Sequence, residues 1–133
     1  MNLIVLHVKT LEASTPFLKT IKKLSEKYRL FIVSNCQDGY IELTMNKNNI
    51  QNFITDWECY GHSGLEKWEN IRLITERNSL KHPVYVGDTE GDLEACEKAG
   101  VPFIWASYGF GANLNPKRII AKIEFFSQLE SIL

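Results

Sequence analysis

Short apolar runs alternate along the chain with stretches whose apolar residues return every three or four positions, the two periodicities of buried strand and amphipathic helix. The runs at 3–8 (LIVLHV), 29–34 (RLFIVS), 83–88 (PVYVGD) and 102–107 (PFIWAS) are continuous rather than alternating in their apolar character, as expected of strands covered on both faces. Residues 53–60 (FITDWECY) form a weaker strand pattern, and 118–123 (RIIAKI) a candidate last strand. Between them, Phe17, Leu18, Ile21 and Leu24 predict a helix after Pro16, a favourable first-turn residue. GYIELTMNKN predicts the next helix. LEKWENIRLITERNSL sets Trp68, Ile71, Ile74 and Leu80 on one face, while LEACEKAG and EFFSQLESIL complete the helical series. Strand, helix, strand order of this kind predicts a doubly wound, Rossmann-like α/β fold: a parallel sheet of about five strands in three α/β/α layers. No cap-length insertion interrupts the pattern, and residues 1–133 are expected to share one core.

Composition narrows the partners. With 44% hydrophobic and 23% charged residues the chain can bury a core, and 15 Lys plus Arg against 16 Asp plus Glu leave a formal charge of −1. No basic block is present to track a phosphate backbone, so nucleic acid is not an expected partner. No apolar run approaches the roughly 20 residues that span a bilayer, so no membrane partner is expected. The N-terminal MNLIVLHVKTLEAS has neither a basic region nor a small-residue cleavage site, and a cytoplasmic address is the expectation. Cys36, Cys59 and Cys96 are odd in number and far apart, without the spacing of a zinc site or a disulfide framework.

In doubly wound sheets ligands sit beyond the carboxyl ends of the strands, at the switch in strand order. Four features collect at those ends. Ser34 and Asn35 close the RLFIVS strand, where a hydroxyl and turn amides can grip an anionic oxygen; the alternative is that Ser34, Asn35 and Asp38 cap the helix that follows. Lys67 opens the third helix after the approach YGHSGL. It offers a point charge to phosphate or carboxylate, or else faces solvent. In VYVGDTEGD, Gly87 permits a tight exit, Asp88 suits a divalent cation, and Asp92 follows one turn later; the other reading is a capping Asp followed by a surface Asp. Finally, the glycines of WASYGFG either let a loop approach these groups or form a plain turn.

Taken in order, FIVSN, Lys67 and VYVGDTEGD followed by EKAGVPFIWASYGFG resemble the second, third and fourth motifs of the haloacid dehalogenase superfamily, in its phosphoglycolate-phosphatase-like branch. The resemblance covers roughly residues 16–111. It implies a Rossmann-like core, Mg²⁺, and hydrolysis of phosphate monoesters through an aspartyl-phosphate. Ser34, Asn35 and Lys67 would bind the phosphoryl group, Asp88 would ligate Mg²⁺, and Asp92 would orient Lys67 or a metal-bound water.

The departure from the family lies in its first motif, Asp-x-Asp-Gly-Thr, which carries nucleophile and general acid/base. The first aspartate of this chain is Asp38, beyond the second motif. When VLHVKTL is laid on that motif, Thr10 and Leu11 coincide, but Leu6 falls at the nucleophile and Val8 at the acid/base. His7 and Lys9 are the substitutes to weigh, with Glu12 too far along. The expected state is a core without its nucleophile, inactive when isolated. The alternatives are a phosphate-binding regulatory module, half of a split phosphatase completed by a partner chain, or the remnant of a longer member. A small phosphorylated molecule or phosphate is the expected ligand, and a homodimer is an open possibility. Residues 3–8 are expected to fill the central position of the sheet, since a gap there would leave backbone groups unpaired.

Overall fold

The computed structural model describes residues 3–6, 15–109 and 113–133. Among these residues there are six strands: β1 (Leu3–Leu6), β2 (Arg29–Ser34), β3 (Ile54–Cys59), β4 (Pro83–Gly87), β5 (Phe103–Ala106) and β6 (Ala121–Ile123). The helices are α1 (Thr15–Lys27), α2 (Tyr40–Asn48), α3 (Tyr60–Ser63), α4 (Lys67–Arg77), α5 (Glu90–Ala99) and α6 (Leu129–Ile132). All pairings are parallel, in the order β3-β2-β1-β4-β5-β6. β1 is therefore the central strand, as its sequence predicts, and the order reverses between β1 and β4. The last two residues of the expected 3–8 strand lie outside the described residues.

Side chains alternate across the sheet into two cores. Leu30, Ile32, Val84, Val86, Ile104 and Ile123 pack under α1, α2 and α6 with Ile21, Ile41 and Leu129. Phe31, Val33, Tyr85 and Phe103 pack on the other face with Ile71, Ile74, Leu93 and Cys96 from α4 and α5. The result is the expected three-layer arrangement. Each aliphatic side chain removed fully from water contributes about 1.5–3 kcal/mol, so the continuous apolar character of β2 and β4 follows from their two covered faces.

The sheet has six strands rather than about five. The run RIIAKI does form its last strand, but only over Ala121–Ile123, pinned by the Ile120 amide to the Phe103 carbonyl (2.9 Å) and the Ser107 amide to the Ile123 carbonyl (2.9 Å). The tail helix is shorter than its pattern predicts, a 3-10 turn at Phe126–Gln128 followed by α6. α5 begins at Glu90, earlier than LEACEKAG indicates, because Thr89 caps it. α4 ends at Arg77, and Ser79 just beyond it adopts a φ of 54°, which no continuing helix tolerates. Among the described residues no helix is long and apolar enough to cross a membrane.

Candidate functional site

The reversal of strand order places the ends of β2 and β4 on either side of β1, and the sequence-predicted residues lie at those ends. Leu6 pairs with Ile32 and Val86, so the described part of β1 stops two residues below the level of Ser34 and Asp88. His7, Val8, Lys9, Thr10, Leu11 and Glu12 lie outside the described residues.

Asp92 is the organising group. It sits at the third position of α5, 1% exposed, and its backbone N–H donates to Thr89 Oγ1 at 3.1 Å, which caps the helix. Its Oδ2 accepts from the amides of Asp88 (3.1 Å) and Thr89 (3.3 Å), and its Oδ1 accepts from Lys67 Nζ. Gly87 makes room for this carboxylate: a Cβ there would stand 2.8 Å from Asp92 Oδ2 and 2.8 Å from Tyr85 Cε1. The glycine is required by that close approach. The reading of a capping Asp88 and a surface Asp92 is thus replaced by a capping Thr89 and a buried Asp92.

Lys67 does not face solvent. Only 8% exposed, it opens α4, where Glu66 and Glu69 form a reciprocal capping box. An ammonium has three donors, and one of them is engaged by Asp92. Its side chain also lines a depression of about 310 Å³ with Asn35, Tyr60, Trp68 and Lys98. Ser34 is buried at the end of β2 (4% exposed), and Asn35 follows it exposed at the rim. Neither caps α2, whose N-cap is Gly39 with no side-chain hydrogen bond. The fold therefore brings Asn35 and Lys67 to one cavity, sets Asp92 behind Lys67, and holds Asp88 beside Asp92. Tyr60, Trp68 and Lys98 carry no motif in the sequence; their only common signal is that the topology delivers α3, α4 and α5 to the same end of the sheet. The Trp68 indole is fixed by its N–H donated to Glu66 Oε2 (2.7 Å) and by the Arg72 guanidinium 6.0 Å from its centroid.

Asp88 is 1% exposed and covered by the loop after β5. A Cβ on Gly109 would lie 2.3 Å from Asp88 Oδ2, so the loop does approach the carboxylate at this glycine. Burial, then the charges of Asp92, Cys96 and Asp88, hold the Tyr85 phenol well above its ordinary range, and its hydroxyl donates to the Val33 carbonyl at 3.1 Å. Burial and then Asp92 push the Cys96 thiol up as well, opposed by Lys67. The acidic character of the buried layer makes the ammonium of Lys67 its natural counter-charge.

Mg²⁺ demands an octahedron of oxygens and takes one or two carboxylates beside phosphate and water. Among the described residues no three His, Cys, Asp or Glu side chains converge on a metal position. Asp92 is engaged by an ammonium and two amides, which leaves Asp88 as the single ligand that the expected set retains. That donor set does not make a metal centre by itself.

A separate polar network, without a motif in the sequence, lies at the β3 edge. Buried Glu58 accepts from His62 Nδ1 (2.7 Å) and from Arg77 Nη1 (3.3 Å). Arg77 also forks onto Asp56 at 2.8 and 3.0 Å; burial opposes the charge on Asp56, but Arg77 and Asn78 hold its carboxyl below the usual range. Glu58, by its hydrogen bond first and its charge second, raises His62 above the ordinary imidazole value of 6.5. The protonated ring is favoured by folding, so its stabilisation is complete below pH 6.5 and is lost as pH rises through the higher folded value. An NMR titration of the His62 ring is expected to show a midpoint above 6.5 that returns to the ordinary value in Glu58→Gln.

The family model for haloacid dehalogenase-like hydrolases matches residues 3–106. Among solved structures, a haloacid dehalogenase-like family hydrolase from Streptococcus pneumoniae superposes with a TM-score of 0.75 at 16% identity, over 90% of this chain and 58% of that one. A subfamily IA hydrolase of the same superfamily from Geobacter sulfurreducens gives 0.77 at 18% identity, over 90% and 55%. A predicted phosphoglycolate phosphatase from Haemophilus somnus gives 0.77 at 19% identity, over 89% and 56%. The chain thus spans under three-fifths of the length of each, and at these identities the likeness is one of fold. Comparison with curated proteins returns no significant match. The matched model covers most of the chain, and the parallel order with Asp88 and Lys67–Asp92 at the strand ends accords with it: the chain belongs to the haloacid dehalogenase-like hydrolase family.

Proposed function

We propose that this chain is a hydrolase core of the phosphatase type that keeps a phosphate cradle and lacks the nucleophile, so that it binds phosphate or a small phosphate ester without turning it over alone. The observation that carries the reading is the buried Lys67–Asp92 pair at the wall of a polar cavity shared with Asn35. Asp92 fixes the ammonium and leaves two of its protons for a ligand oxygen, while Asn35 at the rim supplies an uncharged donor. Mg²⁺ is the metal expected from the family and Asp88 its expected ligand, which would add charge compensation for a bound phosphate.

The supporting chemistry ends there. Leu6, the last described residue of the central strand, has no lone pair to offer phosphorus, and no aspartate precedes Asp38. Titrating the protein with orthophosphate, with and without Mg²⁺, tests the reading. A saturable Kd on the order of 1 mM is expected, weakened about tenfold or more by Lys67→Met and severalfold by Asn35→Ala. Absence of saturable binding in both conditions, or binding indifferent to both substitutions, would remove the cradle.

A further inference from the structure

The sequence separates Cys36 from Cys59, but the sheet brings them together. Cys59 ends β3 opposite Ser34 in the parallel register, and Cys36 lies two residues beyond Ser34 on the neighbouring strand end. The ladder continues past the strands, because the Gly61 amide donates to the Cys36 carbonyl at 3.0 Å. Gly61 fixes how close the two segments run: a Cβ there would stand 2.2 Å from the Asp38 nitrogen and 2.7 Å from Gln37 Cα. The Cys59 thiol donates to the Gln37 carbonyl, next to Cys36, at 3.7 Å, and Cys36 packs against the same buried cluster that holds Cys59. Both are reduced here; Cys36 is half-buried and Cys59 is 2% exposed. Register partners on neighbouring strands are about 4.8 Å apart and disulfides form between Cα atoms about 4.4–6.8 Å apart, so the offset of Cys36 past Ser34 has to be shortened by a turn, as the return of the Gln37 carbonyl to the Cys59 thiol does.

We propose that Cys36 and Cys59 form a reversible disulfide, a modification site that tethers the turn carrying Asn35 to the end of β3. The partially exposed Cys36 is the entry point. Its thiolate attacks a low-molecular-weight disulfide such as glutathione disulfide, forming a mixed disulfide and releasing one glutathione thiolate. Cys59 then loses its proton to solvent and attacks the Cys36 sulfur, closing the protein disulfide and releasing the second glutathione. Two protein thiols are oxidised and one glutathione disulfide is reduced to two thiols. Burial pushes the Cys59 thiol up, while the His62 backbone N–H facing its sulfur favours the thiolate. Closure is therefore the slower step, and it depends on the proximity that the Gly61 contact enforces. Cys96, fully buried on the opposite face of the sheet, has no comparable neighbour among the described cysteines.

The test is to incubate the full chain with glutathione disulfide at pH 8 and map the products by mass spectrometry without reduction. The expected product is a chain lighter by two hydrogens, with the Cys36 and Cys59 peptides joined and separated again by dithiothreitol. Its melting temperature is expected to rise by about 5–10 °C, since the crosslink closes a loop of some twenty residues. Cys59→Ala is expected to stop at a persistent glutathione adduct on Cys36. A wild-type chain that accumulates that adduct without closing, or that crosslinks through Cys96, overturns the proposal. The mass readout is independent of phosphate binding, so this inference and the proposed function fail separately.

Discussion

Asp92→Ala is expected to lower the unfolding free energy by about 3–5 kcal/mol, read as a fall in the urea midpoint with little change in slope. The size follows from what the substitution strands. Lys67 is 8% exposed, and with Asp92 gone its ammonium would lose the carboxylate that accepts from it, leaving a largely buried charge uncompensated. Two further bonds disappear with it, from the amides of Asp88 and Thr89 to Oδ2. Asp92→Asn separates the contributions: an amide oxygen can still accept one of these bonds, but the charge is gone. Adding Lys67→Met to Asp92→Ala is expected to restore part of the loss, because an apolar stem of similar length removes the stranded charge. If Asp92→Ala cost less than about 1 kcal/mol, or the second substitution recovered nothing, the pair would not be the buried anchor described above.

The difference between Lys67 read as sequence and Lys67 found in the fold shows where sequence reasoning reaches its limit. The strand patterns were legible because burial on both faces writes itself as uninterrupted apolar runs, which is why β2, β4 and β5 fall within one residue of their expected spans at each end. The roles of charged residues were less legible, since a lysine at a helix start has the same local pattern whether its stem lies in a core or in water. Only the packing of α4 against α5 decides it. Thr89 was missed as the cap of α5 although Thr-x-x-Asp is a capping-box spacing, because two neighbouring aspartates supplied competing candidates. Glu58, His62 and Arg77 gave no signal because they meet only after β3 has taken the sheet edge and α4 has packed on it. For Gly109 the sequence left two readings open, an approach to the site or a plain turn, and only the fold decides for the approach, to the Asp88 carboxylate 21 residues earlier in sequence.

Incubated with Mg²⁺ and p-nitrophenyl phosphate, the purified chain is expected to release no more nitrophenol than its Asp88→Ala variant, and to carry no covalent phosphate after acid quench. Removing a nucleophile from a covalent mechanism costs on the order of 10⁴–10⁶ in rate, which sets the scale of the expected deficit against an intact enzyme of this type. The remaining groups cannot replace it. Lys67 is a cation bound to Asp92, and the buried Asp92 carboxylate is committed to that ammonium and to two backbone amides, so neither is a free nucleophile for phosphorus. Ser34 is buried with no hydrogen-bonded base among the described contacts, and a hydroxyl at its ordinary pKa is a weak nucleophile. His7 is the residue for which the quench matters most: a phosphohistidine is acid-labile and base-stable, whereas an aspartyl-phosphate is the reverse, so parallel acid and alkaline quenches distinguish them. Turnover that Asp88→Ala abolishes, or phosphate retained on the chain under either quench, would show that a nucleophile has been supplied from within and that the core is an enzyme. Turnover that appears only when a second polypeptide bearing an Asp-x-Asp strand is added would instead assign the missing carboxylates to a partner. In that case the cradle would still bind orthophosphate in the isolated chain, because Lys67 is held by Asp92 and Asn35 follows directly on β2.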